Sequence, residues 1–257
     1  SQPSAPKHPR DSSVELENVT FSYDGTKNAV ENISISIGAG QTVAFVGPSG
    51  GGKSTACKLA ARFWDIQKGR IAMGGVDIST VDPEALLTDY SMVFQDVYLF
   101  QDTVRNNIRF GKAGATDDEI IVAAQKACCH DFIMQLPQGY DTMIGEGGCT
   151  LSGGEKQRIS IARAVLKDAQ VILLDEATAS LDPENEVEMQ KAIDTLIKGR
   201  TVITIAHKLK TIMNANRIIV LDDGQVKEQG THDELMKKNG LYHKLFHIQQ
   251  ESLGWAV

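Results

Sequence analysis

A glycine-rich loop constrains this chain more than any other feature of its 257 residues. The loop reads Gly47-Pro48-Ser49-Gly50-Gly51-Gly52-Lys53-Ser54 and is followed by Thr55. It lies directly after the apolar run 42–46 and directly before a helical pattern at about 55–64. Glycines let the backbone curl so that several N–H groups face one anion, and a following helix adds its positive end. The sequence therefore predicts a phosphate-binding loop between a strand and a helix.

The last two side chains of this loop suit a nucleoside triphosphate. The Lys53 ammonium supplies a compact charge to the β- and γ-phosphates, and the Ser54 hydroxyl offers an oxygen to Mg²⁺. We therefore expect Gly47 to Thr55 to bind a nucleoside triphosphate, although this motif alone does not identify the enzyme.

Apolar runs indicate a parallel sheet that is covered on both faces. Three runs lack the alternation of a half-exposed strand: 42–46, 171–174 and 201–206. Alternation does occur over 14–23 and at 33–37, which predicts strands with one buried face. Residues 217–221 and 225–228, with Asp222-Asp223-Gly224 between them, predict a β-hairpin. Together these patterns indicate an α/β fold.

Helices are predicted between these strands. Capping boxes begin helices near Thr116, Ser152 and Thr231, and the first of these helices should continue to about Leu136. Residues 97–157 contain no buried strand run, so this stretch is predicted to be a mostly helical insertion.

Two acidic residues end the apolar run 171–174. The carboxyl ends of parallel strands form the ligand edge of such a sheet, which would bring Asp175 and Glu176 to the phosphates. Asp175 would hold Mg²⁺ through water, and Glu176 would orient or deprotonate an attacking water. Acids at a strand end can also cap the next helix, and it is the glycine loop that favours the catalytic interpretation.

The segment Leu151-Ser152-Gly153-Gly154-Glu155-Lys156-Gln157 predicts a second anion site, because a serine N-cap and two glycines expose the start of a helix. With this segment, the chain resembles the ABC ATPase family from about residue 14 onward. Glu155 stands where the commonest family form has glutamine. The resemblance implies ATP and Mg²⁺ as ligands. It also implies a dimer in which Ser152, Gly153 and Gly154 close on the γ-phosphate held by a second ABC ATP-binding domain, in a homodimer or a heterodimer.

Four further matches rest on the resemblance, since each residue alone is more often structural. Tyr23, in Phe21-Ser22-Tyr23, resembles the aromatic residue that stacks on adenine. Gln95 resembles the glutamine that reaches Mg²⁺ and signals to the membrane domain. Ser180-Leu181-Asp182 resembles the loop that links the two sites of the dimer. His207 resembles the switch histidine that contacts the γ-phosphate, and it completes the catalytic set with Glu176 and Lys53.

The resemblance implies a P-loop NTPase (RecA-like) core with an antiparallel β subdomain and a helical subdomain. The ABC ATP-binding domain would span 14–257, with the helical subdomain at about 97–157. Residues 1–13 are polar and contain three prolines, which is typical of a linker.

Two segments favour an exporter-type member of the family. Residues 99–108 and Gly145-Glu146-Gly147-Gly148 resemble the loops that meet the coupling helices of transmembrane domains. The proline-bearing start fits a cut just after a transmembrane domain. We therefore expect the C-terminal part of a half-transporter, held at the cytoplasmic face of the membrane, in which ATP-driven dimer closure and reopening move a substrate.

Composition weighs against other function classes. The net charge of −7 argues against nucleic acid as a partner, because phosphate backbones select basic surfaces. The main alternative is a soluble ABC ATPase of the DNA-repair or translation type. A repair member would carry a coiled coil between Lys53 and Ser152, where no sustained heptads occur, and a translation member would carry two cassettes. A regulatory module without turnover is disfavoured by the intact Glu176 and His207.

The four cysteines form no CxxC pair. Adjacent cysteines chelate a metal poorly, so we interpret Cys128-Cys129-His130 as structural and the thiols as buried or inert.

Overall fold

The computed structural model of the chain describes residues 9–176 and 183–252. The predicted Ser180-Leu181-Asp182 loop and residues 1–8 of the predicted linker lie outside the described residues. The chain divides into two compact units. Unit 1 contains residues 1–90, 170–177 and 200–257, and unit 2 contains residues 91–169 and 178–199.

The described residues form these strands: β1 (Val14–Phe21), β2 (Val30–Ile37), β3 (Thr42–Val46), β4 (Lys68–Met73), β5 (Val76–Asp77), β6 (Tyr90–Val93), β7 (Asp102–Thr103), β8 (Met143–Ile144), β9 (Val171–Asp175), β10 (Thr201–Ile205), β11 (Arg217–Asp222) and β12 (Gln225–Gly230).

They also form these α-helices: α1 (Lys53–Leu59), α2 (Pro83–Leu87), α3 (Val104–Arg109), α4 (Asp117–Lys126), α5 (His130–Met134), α6 (Gly153–Lys167), α7 (Pro183–Ile197), α8 (Leu209–Asn214), α9 (His232–Lys238) and α10 (Leu241–Ser252). Short 3₁₀ helices occur at Ile78–Thr80 and Gly139–Asp141.

Two sheets organise unit 1. The larger sheet has the strand order β12-β11-β3-β10-β9-β6. Strands β11, β3, β10 and β9 run parallel, and β3 and β10 are buried over almost their whole length. The smaller sheet, β2-β1-β4-β5, is antiparallel. The predicted parallel sheet and α/β class are thus confirmed, because runs without alternation do form the strands covered on both faces.

The predicted hairpin is also present. Asp222 pairs with Gln225, and Asp223 and Gly224 both have left-handed backbone angles, with φ of 51° and 72°. Two such residues between antiparallel strands make a turn whose twist matches that of the strands.

Unit 2 is built around α6, against which α3, α4 and α7 pack. The Arg163 guanidinium, on α6, donates to the carbonyls of Asn107 (2.9 Å) and Tyr98 (3.1 Å) and lies over the rings of Phe100 and Phe110. One half-buried cation thus joins α6 to α3 and to the loop before it. In agreement with this burial, the pKa of Arg163 is lowered.

Two predicted helices end earlier than expected. The helix from Thr116 stops at Lys126, where Cys128 turns left-handed (φ 56°), and a separate α5 follows. The Cys128 carbonyl then accepts from Arg158 at 2.8 Å. The helix after the glycine loop stops at Leu59, and Arg62 (φ 57°) turns the chain there. Both ends use a left-handed residue other than glycine, so the sequence lacked the usual stop signal.

Burial raises the pKa of two of the cysteine thiols. Cys57 and Cys129 are fully buried, and this burial raises the pKa of each thiol to about 12. The Cys129 thiol donates to the Ala124 carbonyl, and Nδ1 of His130 shares a hydrogen bond with the Tyr140 hydroxyl.

Among the described residues, no helix has the length and apolar character to span a bilayer.

Two threonines of β10 provide a matched stability test. Both are buried, but Thr201 Oγ1 accepts from the Gly40 N–H at 2.9 Å, whereas Thr204 Oγ1 has no partner among the described residues. We expect Thr204→Val to stabilise the protein by about 1 kcal/mol, because a buried unsatisfied hydroxyl is removed at constant shape. Thr201→Val should destabilise it by about 1–3 kcal/mol. Urea unfolding measures both, and equal shifts in the two variants would contradict the assignment.

Candidate functional site

The glycine loop runs from the end of β3 to the start of α1. A Cβ at Gly47 would overlap the Leu221 carbonyl oxygen, and one at Gly51 would lie 2.7 Å from the same oxygen. Gly50 and Gly52 have φ of 76° and 101°, in the left-handed region that glycine occupies without strain. The loop therefore has the curled backbone that the sequence predicted, and a side chain at Gly47 or Gly51 would collide with the Leu221 carbonyl.

The start of α1 provides donors for an anion. The first amide groups of a helix have no partners within it, and the N-cap residue here is Gly52, which has no side chain to supply an acceptor. Lys53 Nζ donates to the Gly47 carbonyl, so its ammonium lies at the beginning of the loop. Partial burial lowers the pKa of Lys53, and the negative charge of Asp175 opposes this shift. The loop, the helix end and one ammonium thus form a positive pocket.

Parallel pairing brings the acids and the histidine together. Strands β9 and β10 pair with Ile205 opposite Asp175, so both strands end at one edge of the sheet. At that edge, Nε2 of His207 lies 3.7 Å from Oδ1 of Asp175. The Glu176 N–H donates to the Ile205 carbonyl at 3.0 Å, which fixes the backbone after β9.

Glu176 is only 2% exposed, and two hydrogen-bond donors hold its buried carboxylate. Oε1 accepts from the backbone N–H of His207 at 3.2 Å, and Oε2 accepts from the hydroxyl of Thr211 at 2.7 Å. Because a carboxylate has about four lone-pair directions, each oxygen can still accept from a further donor such as water. Thr211 is not among the residues predicted from the sequence. Its signal is the four-residue spacing from His207, which gains meaning once residues 209–214 form α8.

Tyr23 lies two residues after the end of β1 and is 58% exposed. Its hydroxyl shares a hydrogen bond with Thr55 Oγ1 at 2.5 Å, which links it to the first turn of α1. The ring meets Phe21 and Trp64 edge-on, at centroid distances of 5.0 Å and 4.9 Å. This arrangement holds the aromatic ring beside the glycine loop. Trp64 was not identified from the sequence.

A cavity of about 380 Å³ in unit 1 adjoins the loop. Gly47, Lys53 and His207 line one side, and residues of α10 line the other. Nε2 of Gln249, on α10, donates to the carbonyl of His207. This contact between the C-terminal helix and His207 is not predicted by the sequence.

The remaining predicted residues belong to unit 2. Gln95 follows β6 and is exposed. Ser152 caps α6 in the predicted capping box, because its Oγ accepts from the Glu155 N–H (3.2 Å) and the Glu155 carboxylate accepts from the Ser152 N–H (2.9 Å). A Cβ at Gly153 would meet no atom within 4 Å, whereas Gly154 is buried. The helix start is thus open at Gly153.

Unit 2 also brings together the two segments that resemble exporter loops. Strand β7 pairs with β8, and the Gly145 backbone lies so close to Phe100 that a Cβ would stand 2.5 Å from its carbonyl oxygen. Both segments line a groove of about 390 Å³, with Tyr98 at its side 70% exposed.

Comparisons with known proteins agree with this architecture. The family model described as "ABC transporter" matches residues 30–179. An ATP-dependent lipid A-core flippase of Syntrophus aciditrophicus is 52% identical over 92% of the chain and 39% of its own length. The putative multidrug export ATP-binding/permease protein YgaD of Bacillus subtilis is 48% identical over 92% of the chain and 41% of its own length.

A solved structure entitled "Structure of a bacterial Atm1-family ABC exporter with ATP bound" is 44% identical, with a TM-score of 0.88 over 96% of this chain and 43% of that one. This likeness confirms the predicted P-loop NTPase (RecA-like) fold class. The chain spans about two fifths of the length of these relatives.

The hydrogen bond between Thr211 and Glu176 predicts a measurable stability difference. Thr211→Val should lower the free energy of unfolding by about 1–3 kcal/mol, because a buried carboxylate oxygen loses a donor at nearly constant volume. Thr211→Ser should retain most of that stability. Thr195→Val is the matched control, because the Thr195 hydroxyl is exposed and bonds a carbonyl within α7. Urea unfolding reports all three, and equal losses for Thr211→Val and Thr195→Val would rule out this role.

Proposed function

Because this chain belongs to the ABC transporter family, we propose that it is an ATP-binding domain that hydrolyses ATP to drive transport across a membrane. The observation that carries the proposal is the shared sheet edge of unit 1. There the ends of β9 and β10 hold Asp175, Glu176 and His207 in mutual contact, and the end of β3 leads into the glycine loop.

The triphosphate of ATP would bind to the glycine loop. Gly47, Gly50, Gly51 and Gly52 give the loop its curl, and the amides at the start of α1 with the Lys53 ammonium supply positive charge. Adenine would stack on the exposed ring of Tyr23, where stacking is worth about 1–3 kcal/mol by analogy with other base–aromatic contacts.

Mg²⁺ fits the oxygen donors of this site. The Ser54 hydroxyl is exposed at the start of α1, and the Asp175 carboxylate lies at the end of β9, and such hard oxygen atoms are the ligands that Mg²⁺ prefers. Gln95 of unit 2 is proposed as a third ligand. When bound, Mg²⁺ would neutralise charge on the phosphate oxygens.

Glu176 would act as the general base. Its two oxygens are held by the His207 N–H and the Thr211 hydroxyl, which fixes the carboxylate while leaving lone pairs to accept a proton from water. The His207 imidazole, beside Asp175, would donate to the γ-phosphate. Catalysis would then depend on the position of these groups rather than on any covalent intermediate.

The second half of each site would come from another ABC ATP-binding domain, in a homodimer or a heterodimer. The start of α6 supports this proposal, because Gly153 leaves it open and the Ser152 hydroxyl can still donate while its oxygen accepts from Glu155. Fifteen residues of helix place a positive dipole end at this point. The partner's γ-phosphate is the anion that we propose for it.

Transmembrane domains are the other proposed partner. The groove in unit 2 is lined by both exporter-like segments and carries the exposed ring of Tyr98. Because the relatives are named as a flippase, an export permease and an exporter, we propose that the groove receives a segment of a membrane domain at the cytoplasmic face. In this proposal the ATP-binding domain spans 14–257, and residues 1–13 are the linker to that membrane part.

Glu176→Gln tests the proposed base. We expect ATP hydrolysis to fall by about 10²–10⁴-fold, the usual contribution of a positioned base, while ATP binding is retained because the glycine loop is untouched. Steady-state phosphate release and nucleotide titration measure the two effects. Glu84→Gln, on the exposed face of α2, is the control for loss of a carboxylate. Near-normal turnover in Glu176→Gln would remove Glu176 from the mechanism.

Mixing two inactive variants tests the proposed two-chain site. Lys53→Ala removes the phosphate-binding ammonium. Gly153→Asp adds a carboxylate at the start of α6, which suits the helix dipole but repels a γ-phosphate. Each variant alone should be inactive, whereas their heterodimer contains one site in which both halves are intact. We expect hydrolysis to reappear on mixing. Failure to recover, with both chains folded and dimerising, would favour a site within one chain.

A further inference from the structure

Two histidines on α10 lie next to each other and do not line the cavity beside the glycine loop. His243 and His247 are four residues apart, which places them one above the other on the helix surface. Their Nε2 atoms are 3.2 Å apart, and their ring centroids are 4.4 Å apart with the planes at 69°. The Nε2 atoms of the two rings therefore face each other.

This separation matches the bite of a chelating pair. Two imidazole nitrogens that bind one tetrahedral Zn²⁺ at 2.0–2.1 Å lie about 3.3–3.4 Å apart. The observed distance of 3.2 Å is close to that value, so a metal ion could be bound with little movement of either ring.

The helix that carries the pair is fixed by its opposite face. Tyr242 and Phe246, each one residue before a histidine of the pair, are buried in the core of unit 1. The Tyr242 N–H donates to the Glu228 carboxylate at 2.6 Å, and the Tyr242 hydroxyl shares a hydrogen bond with His232. The backbone under His243 and His247 is therefore anchored, and such preorganisation lowers the entropic cost of binding.

The two imidazoles differ from the other described histidines in their partners. Nδ1 of His130 and Nδ1 of His232 are each engaged by a tyrosine hydroxyl, at 2.7 Å and 2.6 Å. The rings of His243 and His247 instead share a hydrogen bond with each other. His247 is exposed and His243 is half-buried, so an ion from solvent can reach both nitrogens.

We propose that His243 and His247 bind a divalent transition-metal ion of the Zn²⁺, Cu²⁺ or Ni²⁺ class. Imidazole nitrogen suits these ions, whereas Mg²⁺ prefers oxygen, so this site is chemically distinct from the nucleotide site. In the described part of the chain, no three or more His, Cys, Asp or Glu residues are placed so that they could together hold one metal ion, so at this site the protein would supply two ligands and water would fill the other positions.

Zn²⁺ titration of the untagged full chain tests the proposal by calorimetry. We expect one ion to bind per chain, and we expect His243→Ala and His247→Ala each to weaken binding by at least about tenfold, because a ligand is lost. The controlling variant combines His247→Gln with Gln250→His. It keeps both imidazoles and the composition but sets them seven residues apart, about 10.5 Å along the helix, and it should bind as weakly as the single variants.

A second readout separates chelation from a simple hydrogen-bonded pair of rings. With Cu²⁺ added, electron paramagnetic resonance should show coupling to two nitrogens in the parent chain and lose it in each variant. Melting curves in EDTA establish that the variants are folded. The proposal is overturned if the His247→Gln, Gln250→His double variant binds Zn²⁺ as tightly as the parent chain. It is also overturned if the parent chain shows no binding at millimolar Zn²⁺.

Discussion

Contact of main chain with main chain at the glycine loop is the constraint on which the rest of the site depends. The Gly51 backbone passes the Leu221 carbonyl at the end of β11, and its own carbonyl accepts from the Gly224 N–H at 3.0 Å. Gly224 in turn passes the Ala29 carbonyl, just before β2. Three separate elements thus meet at the loop through backbone atoms alone. The glycines proposed to curl around an anion are therefore also required by packing, because a side chain at any of these points would push a strand away.

The second organising constraint is the parallel register of the central sheet. Because β9 and β10 end side by side, a carboxylate and an imidazole from distant parts of the sequence reach one edge. The hydrogen bond from the His207 N–H to Glu176 then couples the two strand ends directly. The position of the candidate base follows from strand pairing, and Thr211 refines it from the helix that comes next.

Much of this architecture is predictable from sequence because it is carried by local patterns. Apolar runs located the buried strands, and serine or threonine three residues before glutamate located the starts of α4, α6 and α9. The motifs also named the residues of the proposed site, whose roles stay predictions. Local patterns failed where tertiary contacts decide. Cys128 and Arg62 end helices in a conformation that is uncommon for their residue types, and the Cys128 carbonyl is secured by Arg158, thirty residues later.

The same limit explains the missed members of the site. Thr211 and Gln249 matter because of what they touch, a carboxylate just after β9 and a carbonyl after β10. The spacing of Thr211 from His207 gains meaning only once α8 has formed, and the Gln249 contact has no signal in the linear sequence.

The edge-on contact between Tyr23 and Trp64 has a consequence for how this molecule can be observed. Trp64 is one of two tryptophans in the chain, and its indole lies 4.9 Å from the ring proposed to carry adenine. Indole emission responds to the polarity and the quenching groups of its immediate surroundings. A base stacked on Tyr23, as proposed above, would change those surroundings, and Trp64 would then report nucleotide exchange in real time without any added label.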